Sequence, residues 1–392
     1  MHIAILGRQP AISMAELEQF YGSEAVRWFS DISALVDIPS LNVAALGGTQ
    51  KAGRVVADLH GDWRTVSMQI VKAYTEAWRD HQGKITLGIS AYGFNASARD
   101  IQKTGIILKG KLKSQGVSLR LIPNAEPALN TAVSHHNKLG LSDNHVELLV
   151  VRAANGRVII AESVGAQNIT ALAARDQARP HTDAFVGMLP PKLARIMIHL
   201  TGPKPSEGAS LLDPFCGTGV VLQEALLDDY TVYGSDLSDK MVDYTTKNLR
   251  WLKETIHASG EIKEVRQADA MSYTWPEATT LHAVVSEAYL GQPFSAPPSA
   301  DKLREVRDNC DHIISSFLEN VTRQLPSSTR ICLAVPAWHD HAGNVTHLPL
   351  IRRLDTLGFR RISLDHVRDE QLLYYREGQV VARELLLLEK VD

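Results

Sequence analysis

The segment Leu211-Leu212-Asp213-Pro214-Phe215-Cys216-Gly217-Thr218-Gly219 constrains the fold more than any other stretch of the chain. A short apolar run ends in a carboxylate, and two glycines then let the backbone turn sharply where a helix begins. Strand, glycine turn and helix in that order form the repeating unit of a parallel α/β sheet. The pattern continues downstream: Thr231–Ser235 reads as a strand, a helix runs through Trp251, and Glu264–Gln267 and Ala283–Ser286 read as further strands. A helix over Lys302–Leu325 and a strand at Ile331–Val335 follow, and Gln371–Tyr375 with Val380–Glu389 read as a closing strand pair. Alternating strands and long helices predict a mostly parallel sheet covered on both faces, and the closing pair predicts an antiparallel C-terminal strand.

The turn is selective about its ligand. A dinucleotide site needs G-x-G-x-x-G, and the third position here is Leu222; no G-x-x-x-x-G-K-[ST] occurs either, which excludes a P-loop. Asp236 closes the next strand, where a carboxylate suits a pair of ribose hydroxyls. Asp269 follows the strand after that, in reach of an adenine amino group. These acids describe an adenosine-containing ligand without a pyrophosphate, and S-adenosylmethionine fits best. The bland alternative is a tight turn with unrelated surface acids.

The front half has a different texture. His2–Gly7 reads as a strand, and Ser13-Met14-Ala15-Glu16 predicts a capping box opening a helix that runs to Gly22. Strands are expected at Arg54–Leu59, Lys84–Ser90 and Val117–Ile122, with helices over Thr65–Trp78 and Ser97–Ser114. Val146–Val151 and Val158–Ser163 form a hairpin pair around Ala154-Asn155-Gly156. This is α+β material up to about residue 170; residues 171–190 read as a linker, and 191–392 as the α/β domain. The 392 residues are 44% hydrophobic and 22% charged, ordinary for a chain that buries a real core. No stretch reaches the length and apolarity of a membrane span, and the first 20 residues lack a secretory signal pattern, so a cytoplasmic location is expected. Three scattered cysteines (Cys216, Cys310, Cys332) make neither a disulfide framework nor a zinc cluster. Residues 1–180 hold 19 Lys and Arg against 15 Asp and Glu, a modest positive excess of 4 that suits a polyanion partner weakly.

With these residues in view, the chain resembles the THUMP-containing tRNA guanine-N2 methyltransferases of the Trm-eleven-like, or archaeal, type. The Asp213–Gly219 turn is similar to the cofactor loop of class I S-adenosylmethionine-dependent methyltransferases that act on exocyclic base amines. Arg179-Pro180 and Gly187-Met188-Leu189-Pro190-Pro191-Lys192-Leu193-Ala194 resemble the segment that precedes the fold in that family. His136-Asn137-Lys138-Leu139, the run Ser163–Ile169 and the N-terminal Ile5-Leu6-Gly7-Arg8 are similar to its ferredoxin-like and THUMP parts. The resemblance implies a Rossmann-like domain behind an RNA-binding module. It further implies that Asp213, Phe215, Gly217 and Gly219 cradle the methionine end of the cofactor, that Asp236 with Leu237 holds its ribose, and that Asp269 with Ala270 holds its adenine. Lys192 would close the pocket from the side. tRNA is the implied partner; a small zinc-binding activator serves some members of the family, and no signature here decides it.

One departure stands out. The family's catalytic loop reads Asp-Pro-Pro-Tyr, and the corresponding stretch is Ser286-Glu287-Ala288-Tyr289. An exocyclic amine is a poor nucleophile because its lone pair is delocalised into the ring, so a carboxylate that accepts its proton is the key group. Glu287 is the carboxylate at hand, Tyr289 would stack on the base, and Ser286, in the place of the family's Asp, is the third catalytic candidate. The competing readings are a non-catalytic cofactor- and RNA-binding protein with a degenerate loop, and a DNA amino-methyltransferase. For RNA, the candidates are Lys103, Lys109, Lys111, Lys113 and Arg120 with Tyr92 and Phe94 upstream, together with His136, Asn137 and Lys138. Trp338-His339-Asp340-His341 reads as a polar loop, and no metal site is expected.

Overall fold

The computed structural model describes residues 1–183, 189–205, 208–327 and 329–391. They divide into two compact units, one of residues 1–14 and 21–171, the other of residues 15–20 and 172–391.

The first unit is built on one eight-stranded sheet. Its elements are β1 (His2–Leu6), the ends of α1 (Pro10–Tyr21, whose residues 15–20 count with the second unit), β2 (Val26–Ser30), β3 (Ser33–Val36), β4 (Thr49–His60), α2 (Trp63–Ala77), β5 (Lys84–Tyr92), α3 (Ala98–Ser114), β6 (Ser118–Leu121), α4 (Thr131–His136), β7 (His145–Arg152) and β8 (Arg157–Ala166). The strand order is β2-β3-β1-β4-β8-β7-β5-β6. β5 runs parallel to β6 and β7, and the other neighbours are antiparallel. Helices α2 and α3 lie on one face, where Val66, Ile70, Ile101 and Leu108 pack against Ile85, Leu87 and Ile89. Asp62 caps α2 through Thr65 N, and Ser97 with Asp100 forms a full capping box on α3.

The capping box expected at Ser13 is not made. The helix already begins at Pro10, which leaves Ser13 inside it and buried. The Ser13 hydroxyl instead donates to Gly48 O at 2.9 Å and accepts from Gly7 N at 3.2 Å. A Cβ at Gly48 would lie 2.7–2.8 Å from Ser13, so glycine permits the close approach. Two short strands, β2 and β3, were not foreseen: in β2 the exposed Arg27 and Trp28 break the apolar alternation, and β3 is only four residues long. Phe94 packs edge-on against Trp63 and Tyr92 packs against the core beside β1, so neither aromatic joins the lysines as an RNA-stacking surface.

The second unit opens with α5 (Ile169–Gln177), which occupies much of the stretch read as a linker. None of its apolar residues is buried; Arg175 is, held in an ion pair with Glu224. Then come α6 (Pro191–Leu200), β9 (Ser210–Asp213), α7 (Val220–Leu227), β10 (Thr231–Asp236), α8 (Asp239–Thr255), β11 (Glu261–Gln267), β12 (Ala283–Glu287), α9 (Ala300–Thr322) and β13 (Arg330–His339). The chain ends with β14 (Val345–Thr346), β15 (Phe359–Arg361), β16 (Leu373–Tyr374) and β17 (Val381–Lys390). The order along the sheet is β11-β10-β9-β12-β13-β17-β15, with β14 beside β13 and β16 beside β17. The first five strands are parallel, and β17 is antiparallel to both of its path neighbours. This is the doubly wound sheet with an antiparallel C-terminal strand that the sequence predicts. Its chain path reverses between β9 and β12, which opens a crevice at the carboxyl ends of those strands.

Candidate active site

Each acid singled out in the sequence stands at or just past the carboxyl end of one of four neighbouring strands: Asp213 on β9, Asp236 on β10, Asp269 after β11 and Glu287 on β12. The register sets Gly234 opposite Asp213, Asp236 opposite Gln267, and Val284 opposite Leu212. The sheet therefore brings together residues separated by up to 74 positions in the chain.

The glycine turn is pinned from below and open in its backbone. Gly219 takes the left-handed conformation (φ 84°) as the N-cap of α7, and a Cβ there would sit 3.0–3.1 Å from the Thr245 side chain. Thr245 on α8 donates to Gly217 O at 2.7 Å, and Asn248, one turn later, donates to Thr218 O at 2.9 Å. Sequence reasoning missed both, although a buried Thr and Asn at i and i+3 on an amphipathic helix are the available signal. Asn248 also exchanges two hydrogen bonds with the His181 backbone, at 2.9 and 3.0 Å. The segment after α5 is thereby tied to the back of the turn. Two residues before His181, the Arg179 guanidinium is buried, and among the described residues none of its three nitrogens has a hydrogen-bond partner. Burial pushes its pKa down, against a smaller opposing pull from Asp176.

Asp236 accepts from Gly217 N at 3.0 Å and from Ser238 N at 2.9 Å, and burial raises its pKa despite these bonds. Leu237, next in the chain, is 67% exposed and leaves an apolar side chain beside the acid. Asp269 is half-buried and caps its own turn by accepting from Met271 N at 2.9 Å. Asn320 on α9 holds that turn through Ala270 O and Tyr273 O, at 3.1 and 2.8 Å. Phe215 packs edge-on against Phe317, and Lys192 lies exposed on the first turn of α6. Gly187 and Met188 lie outside the described residues.

Asp213 is buried beneath the site. Burial, with smaller contributions from Asp236 and Glu287, pushes its pKa up to about 8, against the hydrogen bonds from Ser286 and Phe215 N. The carboxyl is therefore largely protonated at neutral pH. Ser286 Oγ donates to Asp213 Oδ1 at 2.5 Å, and Ser286 is fully buried. The expectation that Ser286 acts on the substrate is corrected: its hydroxyl is used to tie β12 to β9. Glu287 closes β12 with its side chain 16% exposed, and Tyr289, two residues on, is 43% exposed. Arg383 on β17 pairs through Nε with Glu287 Oε1. The sequence contained Arg383 but nothing local assigned it, since β13 intervenes between the two strands. The lysines 103, 109, 111 and 113 project from the exposed side of α3 in the first unit, and His136 and Lys138 are exposed at the end of α4. Asn137 turns back to Val133 O and accepts from Arg120 at 3.4 Å, which joins the end of α4 to β6.

The strand order and the carboxyl-end acids define a class I methyltransferase fold. Residues 179–342 match the model of the UPF0020 family, described as an RMKL-like methyltransferase domain. The chain is similar to the tRNA (guanine(10)-N2)-dimethyltransferase of Methanothermobacter thermautotrophicus, with 33% identity over 167 residues, 42% of this chain and 44% of the relative. The enzyme of the same name from Methanocaldococcus jannaschii is 38% identical over 94 residues, 24% of this chain and 25% of its own length. The chain thus spans less than half the length of the curated relatives it matches. Among solved structures, TrmN from Thermus thermophilus superposes with a TM-score of 0.55 at 18% identity, covering 100% of this chain and 99% of that one. A possible methylase from Clostridium difficile 630 gives 0.50 at 13% identity, covering 100% and 98%. Both show the fold of the whole chain.

Proposed function

We propose that this chain transfers a methyl group from S-adenosylmethionine to the exocyclic N2 amine of a guanosine in tRNA. The observation that carries the reading is the row of Asp213, Asp236, Asp269 and Glu287 on four adjacent strand ends around a glycine turn. The named activity of the curated relatives supplies the acceptor.

The residues present fit the cofactor. Gly219 leaves a cradle that a side chain would fill, Asp236 offers its remaining lone pairs to ribose hydroxyls, and Leu237 offers an apolar face to a planar base. The unpartnered Arg179 guanidinium is the counter-charge that the cofactor's carboxylate calls for. Bound S-adenosylmethionine supplies a methyl group already activated on a sulfonium. Glu287 accepts a proton of the amine, Tyr289 holds the base flat, and alignment of amine and donor contributes most of the rate. The exposed lysines of α3 meet tRNA phosphates, as suits a THUMP-like module.

The test is transfer of labelled methyl to an unmodified tRNA transcript by the wild type and by Glu287→Gln, with cofactor affinity measured in parallel. Lost transfer with unchanged affinity supports Glu287 as the proton acceptor. Equal transfer by both proteins removes it from the mechanism, and cofactor binding without transfer in the wild type points to a degenerate loop. Transfer that appears only on adding a zinc-binding activator assigns that partner.

A further inference from the structure

We propose that Glu287 and Arg383 together read the Watson–Crick edge of guanine, which makes Arg383 a specificity-determining residue; the inference rests on the acceptor reading above. The two side chains come from strands separated by β13, yet they meet at the carboxyl end of the sheet. Both are largely buried, with side chains 16% and 11% exposed. An ion pair this far out of water returns little net stability, so its placement at the crevice asks for another role.

The contact uses one oxygen and one nitrogen, Arg383 Nε to Glu287 Oε1. Among the described residues, Glu287 Oε2 and the two terminal nitrogens of Arg383 have no hydrogen-bond partner. None of these three atoms is among the buried unsatisfied ones, so they remain open to a ligand. The pair therefore presents an acceptor next to a forked donor. Guanine presents the complement along one edge, the N2 and N1 donors followed by the O6 acceptor. Adenine and 2,6-diaminopurine put an N1 lone pair and an amino group in the same places, against the carboxylate and the guanidinium. A lysine would give the charge without the fork.

The experiment compares kcat/KM for a tRNA carrying guanosine or 2,6-diaminopurine riboside at the methylated position, since both bases keep the 2-amino group. The wild type is expected to favour guanosine by about 10- to 100-fold, the range for one well-made bidentate contact. Arg383→Met should bring the two rates within a few-fold of each other by lowering the guanosine rate, and Arg383→Lys should fall between. Thermal melting of each variant separates loss of reading from loss of fold, and Arg383→Lys carries the test if the methionine variant does not fold. Undiminished discrimination in a folded variant overturns the inference alone. A wild type that methylates neither base at N2 overturns the acceptor reading and this inference with it.

Discussion

Replacing Arg179 with methionine should move the stability of the free protein and its affinity for S-adenosylmethionine in opposite directions. Arg179 is 4% exposed, and among the described residues none of its side-chain nitrogens has a hydrogen-bond partner. A buried polar group left unsatisfied costs about 1–3 kcal/mol, more when charged, and an apolar side chain of similar length removes that cost. For a unit of this size, that gain raises the melting temperature by roughly 2–4 °C per kcal/mol. Hydrogen bonds from a guanidinium to a carboxylate contribute about 1.5–3 kcal/mol, so losing them should weaken cofactor binding by about 10- to 150-fold. Calorimetric titration with S-adenosylmethionine and with 5′-methylthioadenosine, which lacks the amino-acid carboxylate, tests the assignment. The wild type should discriminate between the two ligands, and Arg179→Met should bind them with similar affinity. A variant that melts lower and still distinguishes them refutes the reasoning.

Other expectations follow from the same geometry. His199 is buried between Glu16 Oε1, at 2.7 Å, and Asp228 Oδ2, at 3.7 Å. Burial alone would lower its pKa, but hydrogen bonds to Asp228 and Glu16 outweigh this and raise it to about 9. The imidazolium is favoured in the fold, so its contribution is complete below the unfolded value of 6.5 and is lost as pH rises through about 9. Melting curves from pH 6 to 10 should show a decline that His199→Gln flattens. The raised pKa of Asp213 has the same sign: its cost grows from pH 4 and is complete above about 8. Asp213→Asn should therefore stabilise the protein at pH 8.5 relative to the wild type and give no gain at pH 4, as read by urea unfolding. Gly219→Ala combines a left-handed backbone with a 3.0 Å approach to Thr245 and should cost about 1–2 kcal/mol from the backbone alone. Its cofactor affinity, measured by titration, should fall more than its melting temperature.

The glycine turn and its acids were legible because their chemistry is local: strand, acid and glycines sit within nine residues, and each later acid closes its own strand. Groups that act across the chain were not. Ser13 and Glu16 have the spacing of a capping box, but Ser13 bonds Gly48 O and Glu16 bonds His199, partners that only the folded chain brings near. Helix α5 buries Arg175 rather than its apolar residues, and the partner that holds it, Glu224, lies 49 positions away. Ser286 fills the place of a family acid in sequence, yet its neighbour across the sheet, Asp213, decides its orientation. Arg383 belongs to the same class: nothing in its surrounding residues announces that a carboxylate two strands away will meet it.

Nucleoside mass spectrometry of a tRNA transcript incubated with the full chain and S-adenosylmethionine tests the central claim most directly. N2-methylguanosine is expected from the wild type and should be lost in Glu287→Gln. Methylation of another base or atom, or none by a protein shown to bind the cofactor, would contradict it.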